Sequence, residues 1–387
     1  MRVLLLFDNL EVSGITSVAR GLMSTALACP NLSIKALVCM TDKLGSSLNN
    51  KHIHWPTSWL GCQESLPIKL LKLSYLLIIL PFVASRYDLI LSSCPPTAAI
   101  GWWASLWSRT PLITWVHYDS AGRKRESIGS TTSVLLDFLQ NLLYYRLVPS
   151  LRRLVFVGHR ARDSMITHAG LPSIPKQWTV IPNICLPISV SELSSTPSWL
   201  DSILSRQEPL ILFVGRLARQ KRWEHCLQAA ESLTKMGVNA QWLFIGDGPE
   251  ADLFKHECNR SPVKERLHAS GFINDPLPIM AKADALVVTS LYEAWPTIIL
   301  EAFSLLVPVV SYNCPSGPSD LLGNNERGWL IPEHPNAAAK ALAEILDTSN
   351  ADEVARRCEG GREFLRFHSP SNILPQWIEL FHSVLSE

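Results

Sequence analysis

Two cations and two carboxylates carry the chemistry this sequence can support. Arg216 and Lys221 stand in Phe213-Val-Gly-Arg-Leu-Ala-Arg-Gln-Lys-Arg222, where Gly215 lets the backbone turn at the end of an apolar run. Arginine offers a planar fork of donors and lysine a mobile point charge, so the pair suits the oxygens of a diphosphate. Taken alone, the segment reads equally well as a solvated basic loop. Glu293 and Glu301 follow in Thr289-Ser-Leu-Tyr-Glu-Ala-Trp-Pro-Thr-Ile-Ile-Leu-Glu301. Pro296 suits the first position of a helix. That leaves the amides of Thr297 and Ile298 as unpaired donors at a positive helix end, where anions bind. The carboxylates can accept hydroxyl hydrogens, although two glutamates at this spacing are also common as plain surface charges.

Such residues need elements to hold them. Short apolar, β-rich runs alternate with longer amphipathic stretches along the chain, the pattern of β-α-β units and parallel sheets. A first set of strands is expected at Val3–Phe7, Ile34–Cys39, Asp88–Ser92, Leu112–Val116 and Leu154–Gly158, with helices near 15–28, 66–84, 97–108 and 131–147. A second set is expected at Leu210–Val214, Gln241–Ile245, Ala285–Thr289 and Val307–Ser311, with helices near 222–236, 249–258, 296–306 and 336–347. The helix after Arg222 carries Trp223, Cys226, Leu227, Ala230 and Leu233 on one face, and Gly237 can cap its end. Pro182–Leu200, rich in Ser and Pro and without periodicity, is the expected linker. The tail from about 351 is helix-like, and Pro370 and Pro375 are expected to break it. The expected organisation is therefore 1–190, 191–370, and a C-terminal helix over 371–387 that can pack back on the first domain. The fold class is α/β, two tandem Rossmann-like doubly wound domains, with a ligand in the crevice at the carboxyl ends of their strands.

Composition narrows the options. A chain of 387 residues exceeds what one hydrophobic core usually supports, and 47% apolar with 18% charged residues excludes disorder. A formal net charge of +1, with no zinc-finger or recognition-helix pattern, argues against nucleic acid as a partner. Nine cysteines with no C-x-x-C pair read as reduced core residues of a cytoplasmic protein. The run Val3–Phe7 is too short for a signal peptide, and Tyr75–Ala84 is too short to span a bilayer. His52-x-His54 lacks a third ligand nearby and reads as a surface or strand pair rather than a metal site. Trp102, Trp103 and Trp107 share one greasy helix and read as core, with a membrane-facing patch as the alternative. Lys69, Lys72, Arg123, Lys124 and Arg125 flank apolar runs. They are solvated charges or, alternatively, contacts for weak peripheral docking to anionic headgroups.

In this order and roughly eighty residues apart, the two stretches resemble glycosyltransferase family 4 (glycosyl transferases group 1), marked by a Gly-Arg loop with a downstream lysine and then Glu-x7-Glu. Gly246-Asp-Gly-Pro249, Gly271-Phe-Ile-Asn-Asp275, Ala283–Ser290, Ile181-Pro-Asn183 and Cys314-Pro-Ser-Gly-Pro318 resemble further segments of that family. Val12-Ser-Gly14-Ile15 and His117, in Ile113-Thr-Trp-Val-His-Tyr118, resemble its N-terminal loop and histidine. The chain departs from the pattern at Ser13, Ala294-Trp295 and Leu306, where glycines are usual; alanine resists positive φ, so a shifted donor loop is expected.

The resemblance implies the GT-B fold with an interdomain cleft, and retaining transfer of a hexose or N-acetylhexosamine from a UDP- or GDP-sugar to a glycan or lipid-linked acceptor. The family setting is surface polysaccharide synthesis, in the cytoplasm or at the inner face of the membrane, with no further cofactor and no metal. Arg216 and Lys221 are implied to hold the diphosphate, with Gly14, Gly215, Thr297 and Ile298 lining its side. Glu301 is implied to bind ribose, Glu293 the donor hexose, Phe272 and Ile273 the base, and His117 the donor sugar. The implied catalytic set is His117, Arg216, Lys221 and Glu293. A nucleotide-sugar epimerase of the same fold and a non-catalytic nucleotide-binding homologue are the alternatives.

Overall fold

The computed structural model describes residues 1–7, 14–38, 66–119, 142, 147–186, 188 and 193–387. They form two compact units. Residues 1–119, 142, 147–186 and 368–387 belong to the first, and 188 and 193–367 to the second. The expected helix near 131–147, His52 and His54, Arg123, Lys124 and Arg125, and Cys39 and Cys62 lie outside the described residues, apart from Leu142 and Leu147.

The first unit is built on six parallel strands, β1 (Arg2–Phe7), β2 (Ser33–Val38), β3 (Leu89–Ser92), β4 (Leu112–Val116), β5 (Leu154–Phe156) and β6 (Trp178–Val180), in the order β2-β1-β3-β4-β5-β6. β1 is flanked on both sides, with Val3 opposite Ile34 and Leu89. A strand covered on both faces needs apolar side chains at every position, which is why it reads as an unbroken run. Its longer described helices before residue 170 are α1 (Gly14–Ala26), α2 (Leu66–Ala84), α3 (Pro95–Ser108) and α4 (His159–Ala169). Leu4, Leu6, Leu37, Leu80, Ile90 and Ala104 form the core that α2 and α3 share with the sheet.

The second unit repeats the plan with β7 (Leu210–Val214), β8 (Gln241–Ile245), β9 (Leu267–Gly271), β10 (Ala285–Val288), β11 (Val309–Tyr312) and β12 (Trp329–Ile331), in the order β12-β11-β10-β7-β8-β9. Its labelled helices are α5 (Ser198–Leu204), α6 (Trp223–Lys235), α7 (Ala251–Arg260), α8 (Thr297–Ser304), α9 (Pro335–Leu346) and α10 (Ala351–Arg366). The face expected on α6 is buried: Trp223, Cys226, Ala230 and Leu233 pack with Phe213, Trp242, Phe244 and Leu342. Each of the larger side chains contributes roughly 1.5–3 kcal/mol by leaving water. Strand order reverses at β7, so the topological switch point, where open α/β sheets bind ligands, lies between β7 and β10.

The chain then returns to the first unit as α11 (Pro370–Ser386), which packs on α1. Here the expected break is misplaced. Pro370 is the first residue of α11 and Pro375 lies inside it, while the interruption falls at Phe367–Ser369. Proline loses nothing at a first helical position, and the buried stripe Ile373, Trp377, Phe381 and Val384 offsets the one hydrogen bond that Pro375 cannot donate.

Further corrections have local causes. β6, β9 and β12 were not anticipated, because a short or half-solvated strand such as Leu267-His-Ala-Ser-Gly271 lacks the apolar run that marks a covered one. The strand expected from Val307 begins at Val309, since Leu306 takes φ 57° and the Val307 amide still donates to the Ala302 carbonyl at 2.9 Å, closing α8. Trp102, Trp103 and Trp107 are not core. They are 42%, 36% and 67% exposed, whereas the small residues Ala98, Gly101 and Ala104 face inward. A side chain at Gly101 would stand 3.1 Å from Leu112 and 3.2 Å from Leu6, so only small residues let α3 lie this close to the sheet. The described cysteines form no disulfide with one another, and burial pushes the Cys226 thiol up to about 12. Among the described residues no helix is long and apolar enough to cross a membrane.

Candidate functional site

The basic loop leaves β7 braced by the turn that leaves β8. The Gly215 amide donates to the Ile245 carbonyl at 2.9 Å, the Leu217 amide to Asp247 at 3.0 Å, and the Glu250 amide to Leu217 at 3.0 Å. This approach is possible only because Gly246 has no side chain: with φ at +150°, a Cβ there would stand 1.9 Å from the Gly215 carbonyl oxygen. Beyond the brace, Arg219–Lys221 form one tight turn and Arg222, at φ 47°, leads into α6. The Arg222 guanidinium pairs with Glu333 at 2.9 Å. Arg216 is exposed and has no ion pair with a described residue.

The loop after β10 is stitched to the basic loop along its length. The Thr289 hydroxyl donates to the carbonyls of Lys221 and Arg222 at 2.9 and 3.0 Å. The Leu291 amide donates to the Gln220 carbonyl at 2.7 Å, and the Gln220 side-chain amide to the Tyr292 carbonyl at 3.1 Å. At the tip, the Lys221 ammonium donates to Glu293 Oε1 at 2.5 Å and the Ser290 hydroxyl donates to the same oxygen at 2.7 Å. Glu293 is only 8% exposed, so these two donors offset the loss of water around its charge. The lysine and the first glutamate of the two sequence stretches thus meet at the switch point.

Pro296 is the cap of α8 rather than its first residue, with φ −70° and ψ 99°, and Thr297 begins the helix. Proline has no side-chain oxygen to fill the cap, which suits amides directed at an anion. The shift expected from Ala294 has no backbone basis, since Ala294 does not occupy the left-handed region; Leu306 does. Instead, Gly317 lies so close that a Cβ there would stand 2.9 Å from the Glu293 carbonyl oxygen, and this holds the Cys314–Pro318 turn against the loop.

Glu301 sits one turn inside α8, partly buried, and its carboxyl is pushed up to about 7 by burial and by the neighbouring Asp275 charge. Asp275 closes the segment after β9 that carries Phe272, 58% exposed, and Ile273. The second unit therefore holds Gly215, Arg216, Lys221, Glu293, Thr297, Ile298 and Glu301 on loops and a helix start after β7 and β10, with Phe272 and Ile273 after β9. Gly14 and His117 belong to the first unit. Gly14 opens α1 and His117 follows β4. The His117 ring centroid lies 4.2 Å from that of Trp115, which lies 4.9 Å from that of Trp377 on α11. Burial pushes His117 down to about 3, so the imidazole is neutral, and its buried Nε2 has no hydrogen-bond partner among the described residues.

Sequence reasoning missed Thr289, Ser290, Gln220 and Asp275. The polar pair Thr289-Ser290 directly after the apolar Leu286-Val-Val288 was a signal that the loop starts there. Nothing local indicated that Asp275 would face Glu301.

Comparison with known proteins adds context. The chain is 22% identical over 263 residues to an uncharacterized glycosyltransferase of Methanocaldococcus jannaschii, a match covering 66% of this chain and 63% of the relative. It is 30% identical over 213 residues to the 2-deoxystreptamine glucosyltransferase of Streptomyces kanamyceticus, covering 53% of this chain and 54% of the relative. These matches span roughly half to two thirds of the relatives' lengths. The crystal structure of Anabaena HepE in complex with UDP-glucose superposes with a TM-score of 0.76 over 99% of this chain and 100% of that one, at 17% identity. The chain has the two parallel-sheet, Rossmann-like halves of GT-B glycosyltransferase structures, and its residues 200–361, which include the whole Lys221–Glu293 site, match the family model of glycosyl transferases group 1.

Proposed function

We propose that the chain is a retaining glycosyltransferase of family 4 that moves a hexose or N-acetylhexosamine from a UDP- or GDP-sugar to a glycan or lipid-linked acceptor in surface polysaccharide synthesis. The second unit binds the donor and the first the acceptor. The observation that carries this reading is the joining of Lys221 to Glu293 at the switch point, beside the uncapped start of α8. Relatives named as glycosyltransferases and the UDP-glucose complex of HepE support it.

In this reading Arg216, Lys221 and the Thr297 and Ile298 amides face the diphosphate. They offset the charge that grows on the leaving phosphate, an effect that is large where water is excluded. As Lys221 turns to phosphate, Ser290 keeps hold of Glu293, whose carboxylate accepts from the hexose hydroxyls. Glu301 accepts from the ribose hydroxyls, and Phe272 and Ile273 flank the base. Neutral His117 is assigned to the donor sugar, as the resemblance implies. Glu293 is occupied by Ser290 and the hexose hydroxyls and is given no nucleophilic role, so the acceptor hydroxyl attacks from the face the diphosphate leaves. The acceptor oxygen–carbon bond forms as the carbon–phosphate oxygen bond breaks, and the hydroxyl proton passes to the departing phosphate oxygen.

The test is incubation with a panel of labelled UDP- and GDP-sugars, with and without glycan and lipid-linked acceptors. Transfer, or slow donor hydrolysis without acceptor, is the expected outcome. An epimerised sugar nucleotide, binding without turnover, or a trapped glycosyl-enzyme adduct would each refute it.

A further inference from the structure

Between Leu73 and Ser108 the sequence contains two charged residues, Arg86 and Asp88, and Asp88 is paired with Arg2 at 3.0 Å. The two helices in this stretch turn large apolar side chains to solvent. On α2, Tyr75, Ile78 and Phe82 are 41%, 63% and 68% exposed and share a face at i, i+3 and i+7. On α3, Leu106 joins the three exposed tryptophans at 57%. The two sets are neighbours, because α2 packs on α3 and the Trp103 indole donates to the Leu77 carbonyl at 3.0 Å. Single exposed apolar residues need no explanation, but a contiguous aromatic face marks an interaction site.

We propose that this α2–α3 face rests on an anionic bilayer surface. Three tryptophans, a tyrosine and a phenylalanine are ring systems that favour the headgroup boundary, and no described helix is suited to crossing a membrane, so the face lies on the bilayer rather than through it. The rim carries the matching charge. Arg86 follows the end of α2 and Arg109 the end of α3, both at the N-terminal end of the strands β3 and β4 in the middle of the sheet, beside Phe82 and Trp107 in the last helical turns. Both arginines are exposed and neither forms an ion pair with a described residue. A second copy of the chain is a poorer occupant, since pairing this face with itself brings like-charged rims together without an acidic partner.

The experiment is co-sedimentation of the full chain with phosphatidylcholine vesicles, with and without phosphatidylglycerol, at low and high salt. No nucleotide or sugar is present, so the result is independent of the glycosyltransferase reading. Binding to phosphatidylglycerol vesicles is expected to weaken with salt. The Phe82→Ser/Trp107→Ser double variant, altered only at exposed positions, should lose about tenfold or more in binding with an unchanged Tm. Arg86→Glu/Arg109→Glu should lose the preference for anionic lipid. The idea fails if the wild type does not bind at low salt, or if the apolar double variant binds equally well. It also fails if the lipid-free protein self-associates through this face, as shown by sedimentation velocity and abolition by the same variant.

Discussion

Lys221 and Arg216 sit on one loop but differ in what they touch, and so in what their loss should do. Lys221 neutralises the buried Glu293, while Arg216 is exposed and pairs with no described residue. Arg216→Ala should cut turnover on the order of a hundredfold while leaving Tm unchanged. Lys221→Ala should cut turnover as strongly and also cost about 1–3 kcal/mol, because Glu293 keeps only one donor. Adding Glu293→Gln should restore Tm and leave turnover low. Equal Tm for all three variants would mean that the ion pair is not formed in solution. Glu301 offers a second handle. Its folded pKa of about 7 lies above the unfolded value of 4.5, so its contribution to stability is fully present below pH 4.5 and is lost as pH rises through 7. Glu301→Gln should therefore be more stable than wild type at pH 8, on the order of 1–3 kcal/mol, and alike at pH 4. Wild-type nucleotide affinity should rise as pH passes 7, since only the carboxylate form accepts both ribose hydroxyls; a flat profile by calorimetry would remove Glu301 from the ribose.

At the scale of elements, the basic loop after β7 depends on a neighbour without a side chain. Gly246→Ala puts a methyl group against the Gly215 carbonyl, so the turn after β8 and the basic loop after β7 must move apart. The variant should lose at least about 2 kcal/mol and bind donor nucleotide more weakly, whereas activity lost to a missing charge would leave stability alone. Thermal unfolding and nucleotide titration on the same sample separate the two. The helices and strands around this loop were legible because β7, β8 and β10 are covered on both faces and must be apolar throughout, and because α6 presents Trp223, Cys226, Leu227, Ala230 and Leu233 on one face. β9 and α4 were not legible. One is an edge strand with His268 and Ser270, and the other, His-Arg-Ala-Arg-Asp-Ser-Met-Ile-Thr-His-Ala, buries only Ala161 and Met165.

For the whole molecule, the phosphate charge should be met by Arg216, Lys221 and the start of α8 rather than by a divalent ion, because the sequence has no Asp-x-Asp to hold one. Initial rates should therefore be unchanged in excess EDTA; complete loss restored by Mg²⁺ or Mn²⁺ would require a differently built phosphate site. The sequence by itself determined two sets of parallel strands and helices, and the Gly-Arg and Glu-x7-Glu stretches with Gly246-Asp-Gly-Pro249 between them, because strand burial and tight turns restrict residue type locally. Only the tertiary structure decided that Lys221 reaches Glu293, that burial and Asp275 raise Glu301, that Trp377 packs edge-on against Trp115, and that the tryptophans of α3 face outward. Each of these depends on which strand lies beside which and how closely a helix approaches its sheet, and contacts between residues far apart in sequence leave no periodicity to read.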